Sequence, residues 1–303
     1  MNRLIFSAFL LTLAIRGGET QTATAKQECS VVGHLEIRPF VSKVFHNTRM
    51  LRVWLPPGYN SPQQHSVRYP VLYLNDGQNL FDACTSIFNR QEWRADETAT
   101  DLIGSGKIPP LIIVGIDNAG KADRPKEYLP FPDDTLTPAV LQVHGKDYPS
   151  FLLDEVIPFI NRQYRTEPAP KNTGLGGSSY GAGIALYTVM MRPGHFGKLL
   201  LESPSIYAHD NYLLHKARSF IQWPAKVYIG VGSVNEPVDD VQQLQTILVN
   251  HGLGAQRLSV IEEQGPAHNE TAWAARFPQA LTFLYSTSQR ASTIRRDSPS
   301  PPK

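Results

Sequence analysis

Residues 35–38 and 49–55 alternate apolar and polar side chains, the period-two pattern of strands with one buried face. The run Pro56-Pro57-Gly58-Tyr59-Asn60 then marks a turn. Residues 70–74 and 111–116 are continuous apolar runs, as in central parallel strands covered on both sides. Short runs at 172–175, 199–201, 227–230 and 258–261 continue the strands. Helical spacing of apolar residues appears over 151–163, 184–191, 241–250 and 271–285. This alternation predicts a three-layer α/β domain over 31–286, with a mostly parallel central sheet and two antiparallel strands in front. The stretch from 116 to 150 lacks periodicity and is rich in Pro, Asp and Lys. Loops of that length in a compact domain are usually functional, and this one is expected at the mouth of a site.

The pattern gains chemical meaning at Gly177-Ser178-Ser179-Tyr180-Gly181. It fits G-x-S-x-G, a serine on a sharp strand-to-helix turn, and it stands between a strand pattern and a helix pattern as that motif requires. Small neighbours are needed because strand and helix backbones nearly touch there. The helix N-terminus directs its dipole and free amides at a reacting carbonyl. Ser179 is therefore the candidate nucleophile, in an α/β-hydrolase arrangement.

A serine nucleophile needs a base, and the base an orienting acid; in this fold both follow the serine, acid first. His268 sits on the small-residue loop after the last strand pattern. His195 follows the elbow too closely, His209 and His215 flank a polar helix, and His251 reads as a helix cap. Three carboxylates follow the strand at 227–230: Glu236, Asp239 and Asp240. Glu236 comes first, on the loop, and is the candidate acid; Asp239 is the alternative. Asp239 and Asp240 read as first-turn helix residues, where a carboxylate favours the dipole. An oxyanion hole needs two backbone amides. Tyr180 offers one, and the loop Asn75-Asp76-Gly77-Gln78-Asn79 the other.

Net charge is +2, from 29 Lys and Arg against 27 Asp and Glu, which makes no case for a nucleic-acid partner. A charged start followed by a short apolar run to Ile15 reads as a signal peptide within 1–25, too short to span a bilayer. A secreted or periplasmic protein follows, with no membrane span. Export would permit a disulfide between the two cysteines, Cys29 and Cys84, although their positions equally suit unpaired thiols. Residues 287–303 are rich in Ser, Arg and Pro and are expected to be a disordered tail.

The segments YPVLYLNDGQNLFD, EWRADET, PPLIIVGIDN, RPKEYLPF, GLGGSSYGAGIALY, LLESPSIY and GPAHNETAW occur in that order. Together they resemble the putative-esterase family of α/β-hydrolases, which includes feruloyl, acetyl-xylan and siderophore esterases and mycolyltransferases. The resemblance implies Ser179 as nucleophile, His268 as base, and an acid matching Glu236. It implies the Gln78 amide as second oxyanion donor, Asn79 facing the substrate, and Trp93 near the pocket, although core packing suits Trp93 equally. It also implies a carboxylic ester hydrolase with neither metal nor organic cofactor, acting on a small-molecule or polysaccharide ester. No amphipathic insertion of the lipase kind is evident, so short acyl groups or aromatic acids are expected. A siderophore lactone, acyl transfer to a sugar, and a catalytically dead binding protein are the alternatives.

Overall fold

The computed structural model describes residues 29–286 except 88, 89, 137 and 267. The expected signal peptide and tail lie outside the described residues. Eight strands form one sheet: β1 (His34–Val41), β2 (Thr48–Leu55), β3 (Val71–Asn75), β4 (Ile112–Ile116), β5 (Thr173–Ser178), β6 (Lys198–Glu202), β7 (Lys226–Val234) and β8 (Leu258–Pro266). Their spatial order is β1-β2-β4-β3-β5-β6-β7-β8. β1 pairs with β2, and β2 with β4, in antiparallel fashion; the six strands from β4 to β8 run parallel. The expected architecture is the one found.

The helices are α1 (Ala95–Gly104), α2 (Arg124–Tyr128), α3 (Tyr148–Ser150), α4 (Ile157–Gln163), α5 (Tyr180–Met191), α6 (Ala208–Ser219), α7 (Val238–Asn250) and α8 (Glu270–Tyr285). Strand side chains alternate between two cores. Val71 and Tyr73 join one with α5, α6 and α7; Leu72 and Leu74 join the other with α1 and α8. Leu199 and Leu201 against Leu200, and Val227 and Ile229 against Tyr228, repeat the division. This double burial is why the parallel strands read as unbroken apolar runs.

Two elements differ from the hydrophobic pattern. The helix expected over 151–163 is preceded by α3, and a π-helical turn, Phe151–Val156, separates α3 from α4. Pro158 lacks the N–H that an α-turn would give to Asp154, and the wider turn lies just before it. Helix α1 had no counterpart in the pattern. Its buried face is Ala95, Asp96, Ala99 and Leu102, too small and polar to register as an apolar stripe. The long connection after β4 is structured by α2 and by a bridge between Asp133 and Val140.

The two cysteines are joined: Cys29 and Cys84 form a disulfide across 55 positions. The bond fixes the segment before β1 to the one that follows Gln78.

Candidate active site

Parallel strands end together, and loops at their C-terminal ends meet over one edge of the sheet. Neighbouring β3 and β5 deliver Gln78 and Ser179 to that edge; β7 and β8 deliver Glu236 and His268.

Ser179 occupies the turn between β5 and α5 with φ 56° and ψ −127°, a left-handed backbone for a residue with a side chain. Such geometry costs on the order of 1–3 kcal/mol and persists only where neighbours enforce it. They do so here. The Ser179 N–H donates to the Glu202 carbonyl at 2.9 Å, and its own carbonyl accepts from Ala182, Gly183 and Ser205 at 3.0–3.2 Å. A Cβ on Gly177 would lie 2.9 Å from the Gly181 backbone, so that position admits only glycine.

The loop after β3, which carries Gln78, is fastened to this elbow by side chains that the sequence did not single out. Asp76, itself at φ 60°, takes both forks of Arg124 at 2.7 Å and the Asn118 amide at 2.6 Å. The Arg124 guanidinium lies over the Tyr128 and Tyr180 rings, with centroid distances of 5.3 and 5.6 Å. Asn75 donates to the Gly181 carbonyl at 2.7 Å. Gly77 makes its close approach to β4, where a Cβ would sit 2.5 Å from the Gly115 carbonyl carbon; the glycine seats the loop on the sheet rather than on Ser179. The Gln78 and Tyr180 amides each open a helical turn, where no intrahelical partner exists, and neither donates to a backbone carbonyl among the described residues.

On the other side, His268 Nδ1 lies 2.9 Å from Glu236 Oε2. The Glu236 side chain is fully buried while 41% of the His268 side chain is exposed. Glu236 Oε1 accepts from Ser203 Oγ at 3.1 Å, and Ser203 Oγ accepts from Trp273 Nε1 at 3.0 Å. The His268 ring meets the Trp273 ring edge-on, with centroids 5.4 Å apart. Asp239 and Asp240 lie in the first turn of α7, and the carboxylate that reaches the histidine is that of Glu236. Ser179 Oγ rests 3.3 Å from Ser205 Oγ, and no hydrogen bond joins it to His268 among the described residues. Such contacts commonly close only around substrate.

Asn79 is turned away from the cleft, and Trp93 takes the second of its two expected places, in the core. Trp93 is 2% exposed and packs against Trp273 and Phe277, at 6.0 and 5.6 Å between ring centroids. Truncating it would cost about 3–5 kcal/mol as a core residue. Asn79 is also 2% exposed, and its amide is spent on Glu270 and on the Ile87 N–H. Both belong to the support behind the loop that carries Gln78. Of the residues that sequence reasoning missed, Ser203 and Ser205 lie within LLESPSIY, and Glu270 and Trp273 within GPAHNETAW. The family segments carried them, but no spacing rule gave them a role.

A cleft of about 650 Å³ opens beside the elbow, lined by Gln78, Asn118, Lys121, Arg124 and Tyr180 among others. Beyond Tyr180 an aromatic pocket reaching Ser205 holds only about 20 Å³. The connection after β4 thus forms one wall of the site. Among the described residues no helix is long and apolar enough to cross a membrane.

The family model described as Putative esterase matches residues 42–284. A Bacillus subtilis protein, YbbA, is 24% identical over 252 residues, which cover 78% of this chain and 92% of its own. An endo-1,4-beta-xylanase/feruloyl esterase of Xylanibacter ruminicola is 24% identical across 80% of this chain, which spans only 30% of that protein. The enterobactin esterase of Shigella flexneri, solved in the presence of enterobactin, superposes with a TM-score of 0.66 at 18% identity. That match covers 84% of this chain and 60% of the Shigella chain. With its fold, this extent of match places the chain in the Putative esterase family, as a carboxylic ester hydrolase on the α/β-hydrolase scaffold.

Proposed function

We propose that the protein is a secreted serine esterase in which Ser179, His268 and Glu236 form the triad. The observation that carries this reading is the 2.9 Å pairing of His268 with a fully buried Glu236, set at the same sheet edge as a strained Ser179. As substrate enters, the Ser179 hydroxyl leaves Ser205, gives its proton to His268 Nε2 and attacks the ester carbonyl carbon. The carbonyl oxygen takes the negative charge and is stabilised by the Gln78 and Tyr180 amides, each such donor being worth about 3 kcal/mol. Glu236 holds the Nδ1–H tautomer and stabilises the imidazolium. His268 then protonates the departing alkoxide as the carbon–oxygen bond breaks, and water, deprotonated by the same ring, releases the acid. Every proton is accounted for by these side chains and water.

The open cleft beside the elbow supports a short acyl group or an aromatic acid as the acid part of the ester, and the feruloyl esterase relative supports a substrate of that class, such as feruloylated or acetylated polysaccharide. The shape shared with the Shigella enzyme supports a siderophore lactone as the second reading. A panel of methyl ferulate, acetylated xylan, ferric enterobactin and p-nitrophenyl esters tests both. The expected order of kcat/KM places acetate, butyrate or ferulate esters above palmitate. Fastest turnover of ferric enterobactin would transfer the assignment to the second reading, and a preference for palmitate would contradict both.

A further inference from the structure

Gln78 and His268 belong to loops that start four strands apart, after β3 and β8. At about 4.8 Å per strand, the two loops leave the sheet roughly 19 Å from one another. They must fold toward each other for one carbonyl to meet both an oxyanion amide and a base. Glu270 sits where they converge, and the acyl-transfer steps above make no use of it. It is the first residue of α8, two positions after His268, and is 3% exposed.

Its Oε1 accepts from Asn79 Nδ2 at 3.2 Å, across 191 positions of sequence. Burial pushes this carboxyl up to about 7; the Asp76 charge adds to that, and Arg124 and His268 oppose it. Arg124, the cation that could pair with it, is committed to Asp76. A buried carboxyl without a cation is costly unless hydrogen bonds satisfy it, and Asn79 supplies one from the opposite loop. Asn79 is held equally firmly: its N–H donates to the Asp76 carbonyl, its carbonyl accepts from Trp93 and its Oδ1 accepts from Ile87. Gln78 therefore cannot shift without Asn79.

We propose that Glu270 is a positioning residue, whose hydrogen bond to Asn79 sets the distance between the Gln78 oxyanion amide and His268. The inference rests on the catalytic reading given above. Trp93 packed on Trp273 and Phe277 ties the same two segments by apolar contact, so cutting the polar tie leaves the fold in place and loosens only the alignment. Misplacing a reacting group by about an ångström can cost up to roughly a hundredfold in rate.

The test measures kcat and KM on p-nitrophenyl acetate for the wild type and for Glu270→Ala, Glu270→Gln, Asn79→Ala and the Asn79→Ala/Glu270→Ala pair, each well below its own Tm, with Ser179→Ala as the reference. Glu270→Ala should lower kcat by about tenfold to a hundredfold with KM little changed. Glu270→Gln keeps the acceptor oxygen and should recover most of the loss. Adding Glu270→Ala to Asn79→Ala should have no further effect, because the partner is already gone. An inert Ser179→Ala beside a wild-type kcat in Glu270→Ala overturns the proposal, as does a Gln variant as poor as Ala, or losses that multiply in the pair. A fully active Ser179→Ala would instead overturn the catalytic reading beneath it.

Discussion

Glu236 gives one oxygen to His268 and the other to Ser203, and the Ser203 hydroxyl is in turn held by the Trp273 indole. Sequence singled out Ser179, His268 and Glu236 as candidates because strand ends and loop order constrain them, and the fold puts Glu236 against His268. It could not place Ser203, since a serine between a strand and a proline has no signature of its own. Asn79 was misplaced toward substrate, and Trp93 stayed open between pocket and core, for a related reason: sequence shows that a side chain is near a loop, not which way it turns. Two variants follow from the Glu236 network. Glu236→Gln should lower kcat by about 10³–10⁴-fold, the scale of losing a triad carboxylate, while Asp239→Asn stays near wild type. Ser203→Ala removes one donor from the carboxylate and strands the Trp273 N–H. A hydrogen bond to a charged group is worth about 1.5–3 kcal/mol, so kcat/KM should fall by roughly tenfold to a hundredfold. Steady-state kinetics on p-nitrophenyl acetate checks both, and a crippled Asp239→Asn would move the acid one helical turn along the chain.

Elements with long apolar runs were the legible ones. β3 and β4 are buried on both faces, and the hydrophobic pattern alone locates them. Helix α1 was not legible, because its core face is two alanines, one leucine and a fully buried aspartate. That aspartate has a consequence for stability. Asp96 accepts from the Val32 N–H at 2.6 Å, close to Glu92 and Glu97. Burial, reinforced by Glu97 and opposed by the Val32 amide, pushes its carboxyl up to about 8 from 3.8. The folded protein then holds a proton that the unfolded chain has lost, so stability declines as pH rises from about 4 to about 8. Asparagine cannot ionise and keeps an acceptor for Val32. Asp96→Asn should therefore raise Tm most at pH 8.5, with the gain shrinking toward pH 5. Thermal melts across that range check it, and a gain that grows at low pH would contradict the assignment.

In the whole molecule, the sheet edge that carries the proposed triad is braced at three levels. The sheet brings the strand ends together, Arg124 locks Asp76 against the elbow, and the Cys29–Cys84 disulfide closes 55 positions around the segment after Gln78. Closing a loop of that length removes unfolded-state entropy worth about 4 kcal/mol in the chain-entropy account. The pairing was open in the sequence because two cysteines so far apart carry no geometric information; only the fold brings them together. This bracing holds the edge at which, in the proposed mechanism, His268 activates Ser179 as the nucleophile. The most direct measurement is peptide mass spectrometry after treatment with a fluorophosphonate, on the wild type and on His268→Ala, alongside p-nitrophenyl acetate turnover. One adduct is expected, on Ser179, with loss of turnover in step with labelling, and almost no adduct in His268→Ala. Labelling at a different serine, or full labelling of Ser179 without His268, would contradict it.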